Sequence, residues 1–470
     1  MQLVNNIRPL SAIDYLFLFL ENRKQPMHVA GLCVFELPSD NEDFFAQLVC
    51  HIRSKNFQPT SPFGQVLYKH FFWCDDKEFD IEYHFHHIAL PKHNQVSGTK
   101  ELFAYLSHEH SRTMDKDRPL WEFHLIEGIA PVCEGAPERF AIWLKIHHSV
   151  ADGIAAIRLL RRSLSTDKNA LLTTPFWAFT SERHKQLDGI LPTYKSKWQL
   201  LKEQVSTIKP VGTELLSSLK NKLNQHSYFV STFDAPKSIL NQKITSTRHL
   251  SVQSFAKKRF LNIAKYFNTT TNDVILAICS GALRRYLLTQ NALPDKPLIA
   301  FVPISLRKDD SANGNQISFL LANLGTHFGN AIARLTAIKQ SVSDGKARFS
   351  RMSQSQIINY SATVYAWAML NLATGAFPSR QAFNLIISNV PADSTPLYLH
   401  GAKLTGIYPA SVLFDGQALN ITIINHQDAL DFGITACATA LPQIENFTGF
   451  VADELRAFEN LLKINLILST

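Results

Sequence analysis

Two stretches of this chain alternate strand-like and helix-like apolar patterns, and a polar stretch punctuated by prolines separates them. That arrangement restricts the fold more than any single motif does. In the first stretch, Val29–Leu37 reads as a strand ended by Pro38, and Arg139–Ile146 alternates as another. Asn41–Ile52, Leu102–Thr113 and Ile154–Leu164 carry apolar residues at helical spacing. In the second stretch, Phe255–Tyr266, Asp273–Leu288 and Asn446–Leu462 read as helices. Leu298–Val302 and Asn384–Val390 read as buried strands stopped by Pro303 and Pro391, and Leu419–Ile424 with Leu430–Ala436 as a hairpin around Gln427-Asp428-Ala429. Residues 166–243 are rich in Lys, Ser, Thr and Gln, with weak helical periodicity near Trp198–Val205 and Leu215–Leu223. The expected organisation is α/β: a lobe over 1–165, a basic crossover linker with amphipathic helices over 166–243, and a second lobe over 244–470.

Composition narrows the function. Apolar residues make up 46% of 470, enough for a full-sized core. No stretch approaches the ~18 consecutive apolar residues of a membrane span. The run Tyr15–Leu20 is too short and is bracketed by Asp14 and Glu21, and the first eight residues lack a signal-peptide pattern. Six cysteines with no C-x-x-C pair disfavour zinc ribbons, redox dithiols and a disulfide scaffold, and read as buried free thiols in a reducing cytoplasm. There is no G-x-G fingerprint, no phosphate-binding loop of the G-x-x-x-x-G-K-[ST] type and no G-x-S-x-G elbow. The net charge is +8, and residues 183–222 alone carry eight Lys/Arg against three Asp/Glu. The excess therefore points to one segment. It reads either as a surface for anionic lipid or as a solvated tether, and nucleic acid is not expected as a partner.

One segment concentrates chemistry-bearing residues. Ile146-His147-His148-Ser149-Val150-Ala151-Asp152-Gly153 sits between a predicted strand and a predicted helix. Successive strand residues face opposite sides, so His148 shares a face with Phe140, Ile142, Leu144 and Ile146, while His147 shares the other with Trp143 and Lys145. Only one of the two histidines then reaches a given substrate. Asp152 suits a helix cap or a distant cation, and Gly153 suits a tight turn into the helix.

His147-His148-Ser149-Val150-Ala151-Asp152-Gly153 matches the H-H-x-x-x-D-G signature of CoA-dependent acyltransferases and condensation domains. Nearly the whole chain resembles the bacterial wax ester synthase/acyl-CoA:diacylglycerol acyltransferase family. The resemblance runs through Pro9-Leu10-Ser11-Ala12-Ile13-Asp14, Gln25-Pro26-Met27-His28-Val29, Pro119-Leu120-Trp121 and Asn272-Asp273. It continues in Val302-Pro303, Ser388-Asn389-Val390-Pro391 and Tyr408-Pro409-Ala410-Ser411. Two places depart from the family. Ala392-Asp393 stands where it has Gly-Pro, and Asp431-Phe432-Gly433 matches only the start of a plant acyltransferase motif and reads as ordinary strand.

The resemblance implies two chloramphenicol-acetyltransferase-like lobes with mixed sheets and an active-site channel between them. It implies acyl transfer from long-chain acyl-CoA to a fatty alcohol or diacylglycerol, with acyl-CoA as substrate and neither cofactor nor metal. It makes His148 the general base, His147 its support and Asp152 a structural aspartate, with Arg307 as a possible ion-pair partner. Asn272 becomes a candidate oxyanion donor, or else the cap of the helix near Asp273. Pro119, Leu120 and Trp121 become channel candidates, or else core. Lys257, Lys258 and Arg259 become candidates for the CoA phosphates, or else a solvated face. His84-Phe85-His86-His87 has metal-like spacing but no established carboxylate partner. A carrier-dependent condensation enzyme and a non-catalytic lipid-surface binder are the competing readings. The expected location is the cytoplasm, with peripheral association to a membrane or lipid droplet.

Overall fold

The computed structural model describes residues 7–38, 42–91, 99–170, 172–179, 230, 234–305, 317–350, 381–392 and 394–468. The whole basic segment 183–222, with its expected amphipathic helices, and Arg307 lie outside them.

The first lobe opens with β1 (Arg8–Pro9), α1 (Ala12–Leu20), β2 (His28–Glu36) and α2 (Phe44–Ile52). It continues with β3 (Gln65–Tyr68), β4 (Phe72–Asp75), β5 (Phe85–Ala89) and α3 (Thr99–His110). It closes with β6 (Trp121–Ile129), β7 (Arg139–His147) and α4 (Gly153–Arg162). β7 is buried along almost its whole length because both of its faces are covered. Phe140, Ile142, Leu144 and Ile146 join a core with Phe44 and Leu48 of α2 and Leu159 and Leu160 of α4. Ala141 and Trp143 join a second core with Leu102 and Leu106 of α3. The alternation read from the sequence is therefore real, and each parity has its own helical layer.

The second lobe contains β8 (Arg248–Ala256), α5 (Lys257–Tyr266), α6 (Thr271–Thr289), β9 (Ile299–Ser305), β10 (Ile317–Asn323), α7 (Ala331–Phe349) and β11 (Leu385–Pro391). β12 (Tyr398–Leu399), β13 (Ala402–Ala410), β14 (Leu419–His426), β15 (Ala429–Cys437) and α8 (Phe447–Leu468) follow. Its six-stranded sheet runs β10-β9-β11-β14-β15-β8, with β11 parallel to both β9 and β14. α6 lies at the centre of this lobe's core, packed by α5, α7 and α8.

The first lobe's large sheet has the order β12-β13-β2-β7-β6-β5. Two strands from residues 398–410 thus leave the second stretch of sequence, β13 pairing with β2 and β12 with β13, so a division at residue 243 does not describe sheet membership. Other boundaries also move. Phe255 and Ala256 end β8, and the helix after them starts at Lys257. β9 runs through Pro303 to Ser305, because β11 pairs with β9 only at Ala300 and Phe301 and needs no N–H beyond them. Cys50 and Cys133 are exposed, which corrects the expectation of six buried thiols, and all six cysteines are free.

Candidate active site

A cavity of about 450 Å³ lies between the two lobes. β2, β7 and β13 wall one side, β9, β10, β11 and β14 the other, and Phe17 of α1 with the first turns of α4 complete it. The lining is mostly aliphatic and aromatic. His148, Asp152, Ser388, Ser411, Asn420 and Thr422 are its polar members.

His148 follows directly on β7, and its backbone N–H donates to Met27 O at 2.8 Å. Its imidazole keeps the face of Leu144 and Ile146 and so points into the cavity. The Phe17 ring stacks on it at 4.1 Å between centroids, with planes 22° apart, which fixes the plane of the imidazole.

His147 has the opposite orientation and is fully buried. The Ser149 N–H donates to its Nδ1 at 3.2 Å, and the Ser149 hydroxyl lies 2.6 Å from the same nitrogen. A nitrogen that accepts carries no proton, so the neutral ring holds its proton on Nε2. That nitrogen faces Glu21 Oε1 at 3.5 Å. Burial pushes the Glu21 carboxyl up, but His147, the Met27 N–H and Lys116 outweigh it and leave the pKa at about 2. His28, which pairs with His147 across the sheet, meets His110 at 3.1 Å, and His110 meets the Ser411 carbonyl at 3.1 Å. Burial lowers both of these histidines, His110 to about 3.

Asp152 is the N-cap of α4. It has extended backbone angles, and its carboxylate accepts from the Ala155 N–H at 2.8 Å. Gly153 is not held in the left-handed region, which corrects the tight-turn reading. A Cβ there would meet nothing within 4 Å, so the absent side chain leaves space at the cavity.

The other candidates lie elsewhere. Asn272 is in the first turn of α6, but Thr270 caps that helix through a capping box with Asp273. Asn272 Oδ1 is 3.5 Å from the amide of Asn389, whose side chain faces away from the cavity-lining Ser388. Pro119, Leu120 and Trp121 do not line the cavity. Leu120 and Trp121 are core, with the indole stacked on Trp177 and donating to Phe63 O at 2.8 Å. None of Lys257, Lys258 and Arg259 lines the cavity, and Arg259 grips both carboxylate oxygens of Glu459, fastening α5 to α8. His84 lies against Trp121 and bonds its carbonyl at 2.8 Å. His86, Glu122 and His124 bring ligand-type atoms within 4.8 Å of one another, but the buried Lys145 ammonium donates to Glu122 at 3.2 Å and supplies the positive charge there. Ala392 adopts no left-handed conformation, so the loop lacking Gly-Pro is unstrained at that residue.

Phe17, Glu21 and the polar strip were not read from the sequence. In that strip Ser411 lies 3.0 Å from Thr422, which donates to Asn420 Oδ1 at 2.9 Å. One signal was present: Ser11-Ala12-Ile13-Asp14 before an apolar run is a helix start, and Ser11 does cap α1. Nothing local says that this helix covers His148.

The comparisons with known proteins agree with this geometry. Residues 10–275 match the family model of the wax ester synthase/diacylglycerol acyltransferase catalytic domain, and residues 313–459 match that family's C-terminal domain. The O-acyltransferase WSD of Acinetobacter baylyi is 46% identical, over 97% of this chain and 98% of its own. A Mycobacterium tuberculosis protein that carries the name diacylglycerol O-acyltransferase is 34% identical, over 96% and 99%. The solved wax ester synthase/diacylglycerol acyltransferase of Marinobacter aquaeolei VT8 superposes with a TM-score of 0.77 at 37% identity, over 96% and 98% of the two chains. The starter condensation domain of rhizomide synthetase shares the fold at a TM-score of 0.55 and 13% identity. A histidine aimed into an apolar cavity between two such lobes, in a chain matched along nearly its whole length, has one conclusion: this chain belongs to the wax ester synthase/diacylglycerol acyltransferase family.

Proposed function

We propose that this chain transfers the acyl group of a long-chain acyl-CoA to the hydroxyl of a fatty alcohol or a diacylglycerol, with His148 as general base. The observation that carries this reading is the His148 imidazole, held by Phe17 at the wall of an apolar cavity between the lobes. An alcohol is a weak nucleophile at neutral pH, and a thioester carbon is a fair electrophile. His148 takes the hydroxyl proton as the oxygen attacks the thioester carbonyl. The tetrahedral intermediate then collapses, the C–S bond breaks, and the proton goes to the departing CoA thiolate. The products are an ester and free CoA. The polar strip Ser411–Thr422–Asn420 offers the incoming hydroxyl a hydrogen-bonding wall in otherwise apolar surroundings.

The aliphatic lining suits acyl and alkyl chains. Asp152 serves as a cap that sets the α4 end of the cavity, and Asn272 is assigned no contact with the reacting atoms. Association with a membrane or lipid-droplet surface is part of this reading, because both substrates partition there. No described helix is long and apolar enough to cross a membrane.

The test is CoA release from palmitoyl-CoA and hexadecanol. His148→Ala is expected to lose about 10²–10⁴-fold in turnover, the usual worth of general-base assistance. His148→Ala turnover equal to wild type would overturn the assignment. An enzyme that ignores free acyl-CoA would point instead to a carrier-bound donor.

A further inference from the structure

The outer face of α1 is as apolar as its inner face. Inside, Leu16, Phe17 and Leu20 pack with Met27, Val412 and Phe414, and Phe17 covers His148. Outside, Tyr15 is 39% exposed and Phe19 69% exposed. Phe71, 57% exposed, comes from the turn between β3 and β4 and stacks on Tyr15 at 5.6 Å, and Phe19 stacks on the same ring at 6.2 Å. A surface helix ordinarily presents polar residues to water. Three exposed aromatic rings stacked around Tyr15 are an interaction surface.

The charges around these rings select their partner. Arg23 and Lys24 are exposed just after α1, and Lys69 is exposed two residues before Phe71. The acids of α1 and its C-cap, Asp14 and Glu21, are buried. The exposed charges of these two segments are therefore positive, while on the neighbouring loop the exposed Asp115 and Asp117 flank Lys116, which bonds Leu18 O. Aromatic rings flanked by Lys and Arg suit the headgroup layer, where rings enter the acyl boundary and cations meet phosphates. The same helix that meets the surface roofs the cavity, so substrates dissolved in lipid have a short route to His148.

We infer that Tyr15, Phe19 and Phe71, bordered by Arg23, Lys24 and Lys69, form the face by which this enzyme lies on an anionic phospholipid surface. The inference rests on the acyl-transfer reading for its purpose, but its test does not. The probe is co-sedimentation with phosphatidylcholine vesicles holding about 30 mol% phosphatidylglycerol. The triple change Tyr15→Ser/Phe19→Ser/Phe71→Ser and the single Phe19→Ser are compared with Arg23→Glu/Lys24→Glu/Lys69→Glu. The aromatic triple is expected to weaken partitioning about tenfold or more and the single variant about threefold. The charge variant is expected to lose about tenfold on anionic vesicles and to match wild type on phosphatidylcholine alone. CoA release from short, water-soluble acyl-CoA and alcohol is expected to stay within about threefold of wild type, which shows that the variants fold. Partitioning of the aromatic variants equal to wild type overturns the inference. So does a wild-type dimer that the aromatic triple turns into a monomer by light scattering, since the rings would then be a contact between copies. If His148→Ala keeps its turnover while the vesicle results stand, the acyl-transfer reading fails and this surface survives.

Discussion

The imidazole of His147 is bonded at Nδ1 by Ser149 and faces Glu21 across 3.5 Å at Nε2, while His148 beside it faces the cavity. Strand parity alone gave these opposite orientations, and that much was legible from the sequence. The identity of the anchor was not, because Glu21 reaches His147 only through the tertiary fold. Glu21 also carries a pH prediction. Its carboxyl falls from an unfolded value near 4.5 to about 2, so the stability it contributes is present above pH 4.5 and is lost as pH falls towards 2. His110, lowered to about 3 by burial, costs stability earlier, because between about pH 6.5 and 3 the unfolded chain takes up a proton there that the folded chain does not. Glu21→Gln is therefore expected to cost about 1–3 kcal/mol at pH 7, because Lys116 and His147 lose a buried anion. That gap should shrink below pH 4.5, while the decline between pH 6.5 and 5 persists. Thermal melts at pH 7, 5 and 3.5 check this, and an equal offset at all three would contradict it.

At the scale of elements, periodicity located most helices and strands, and local chemistry fixed their ends. Two α-helix starts show how. Asp152 caps α4 at the cavity edge, and Thr270 with Asp273 forms a reciprocal box at α6. The sequence offered Asn272 as the α6 cap because an Asn stands before the apolar run. The Thr270 hydroxyl takes the Asp273 N–H instead, and Asp273 returns the bond, so the helix begins two residues before Asp273. Asp152→Asn keeps a side-chain oxygen at the cap, whereas Asp152→Ala removes it. The alanine variant is expected to lose about 1 kcal/mol and the asparagine variant well under half of that. Urea midpoints measure both. If asparagine costs as much as alanine, the carboxylate charge matters more than the cap, and a cation such as Arg307 becomes the partner to test.

The whole molecule is joined where β13 leaves its sequence neighbours to pair with β2, and this joint was the least legible feature. Its register, Lys403 with Glu36 through Ala410 with Ala30, links residues more than 350 apart, and no local pattern specifies such a partner. The second sheet grips the crossing strand at several points, one of them the Tyr408 hydroxyl, 2.8 Å from Ser254 Oγ of β8. Asp431, buried on β15, accepts the Ile407 N–H at 2.9 Å, so the Asp-Phe-Gly stretch is indeed strand but has a structural task. Two residues on, Gly433 lets the backbones meet, since a Cβ there would stand 1.9 Å from the Pro409 carbonyl oxygen. A backbone atom cannot rotate aside as a side chain can, so Gly433→Ala must part β15 from β13. Pro409 also lines the cavity, and parting these strands moves one cavity wall relative to the other. The substitution is expected to cost about 2–3 kcal/mol and to lower CoA release per folded molecule. Gly449→Ala is the matched control. It lies in α8 with nothing within 4 Å of the new Cβ, and there the exchange should stabilise by about 0.5–1 kcal/mol. The opposite signs of these two changes at 25 °C, read as urea midpoints beside turnover, test whether the lobes are held by that contact. A Gly433→Ala enzyme with wild-type stability and turnover would mean that the sheets can separate there without cost.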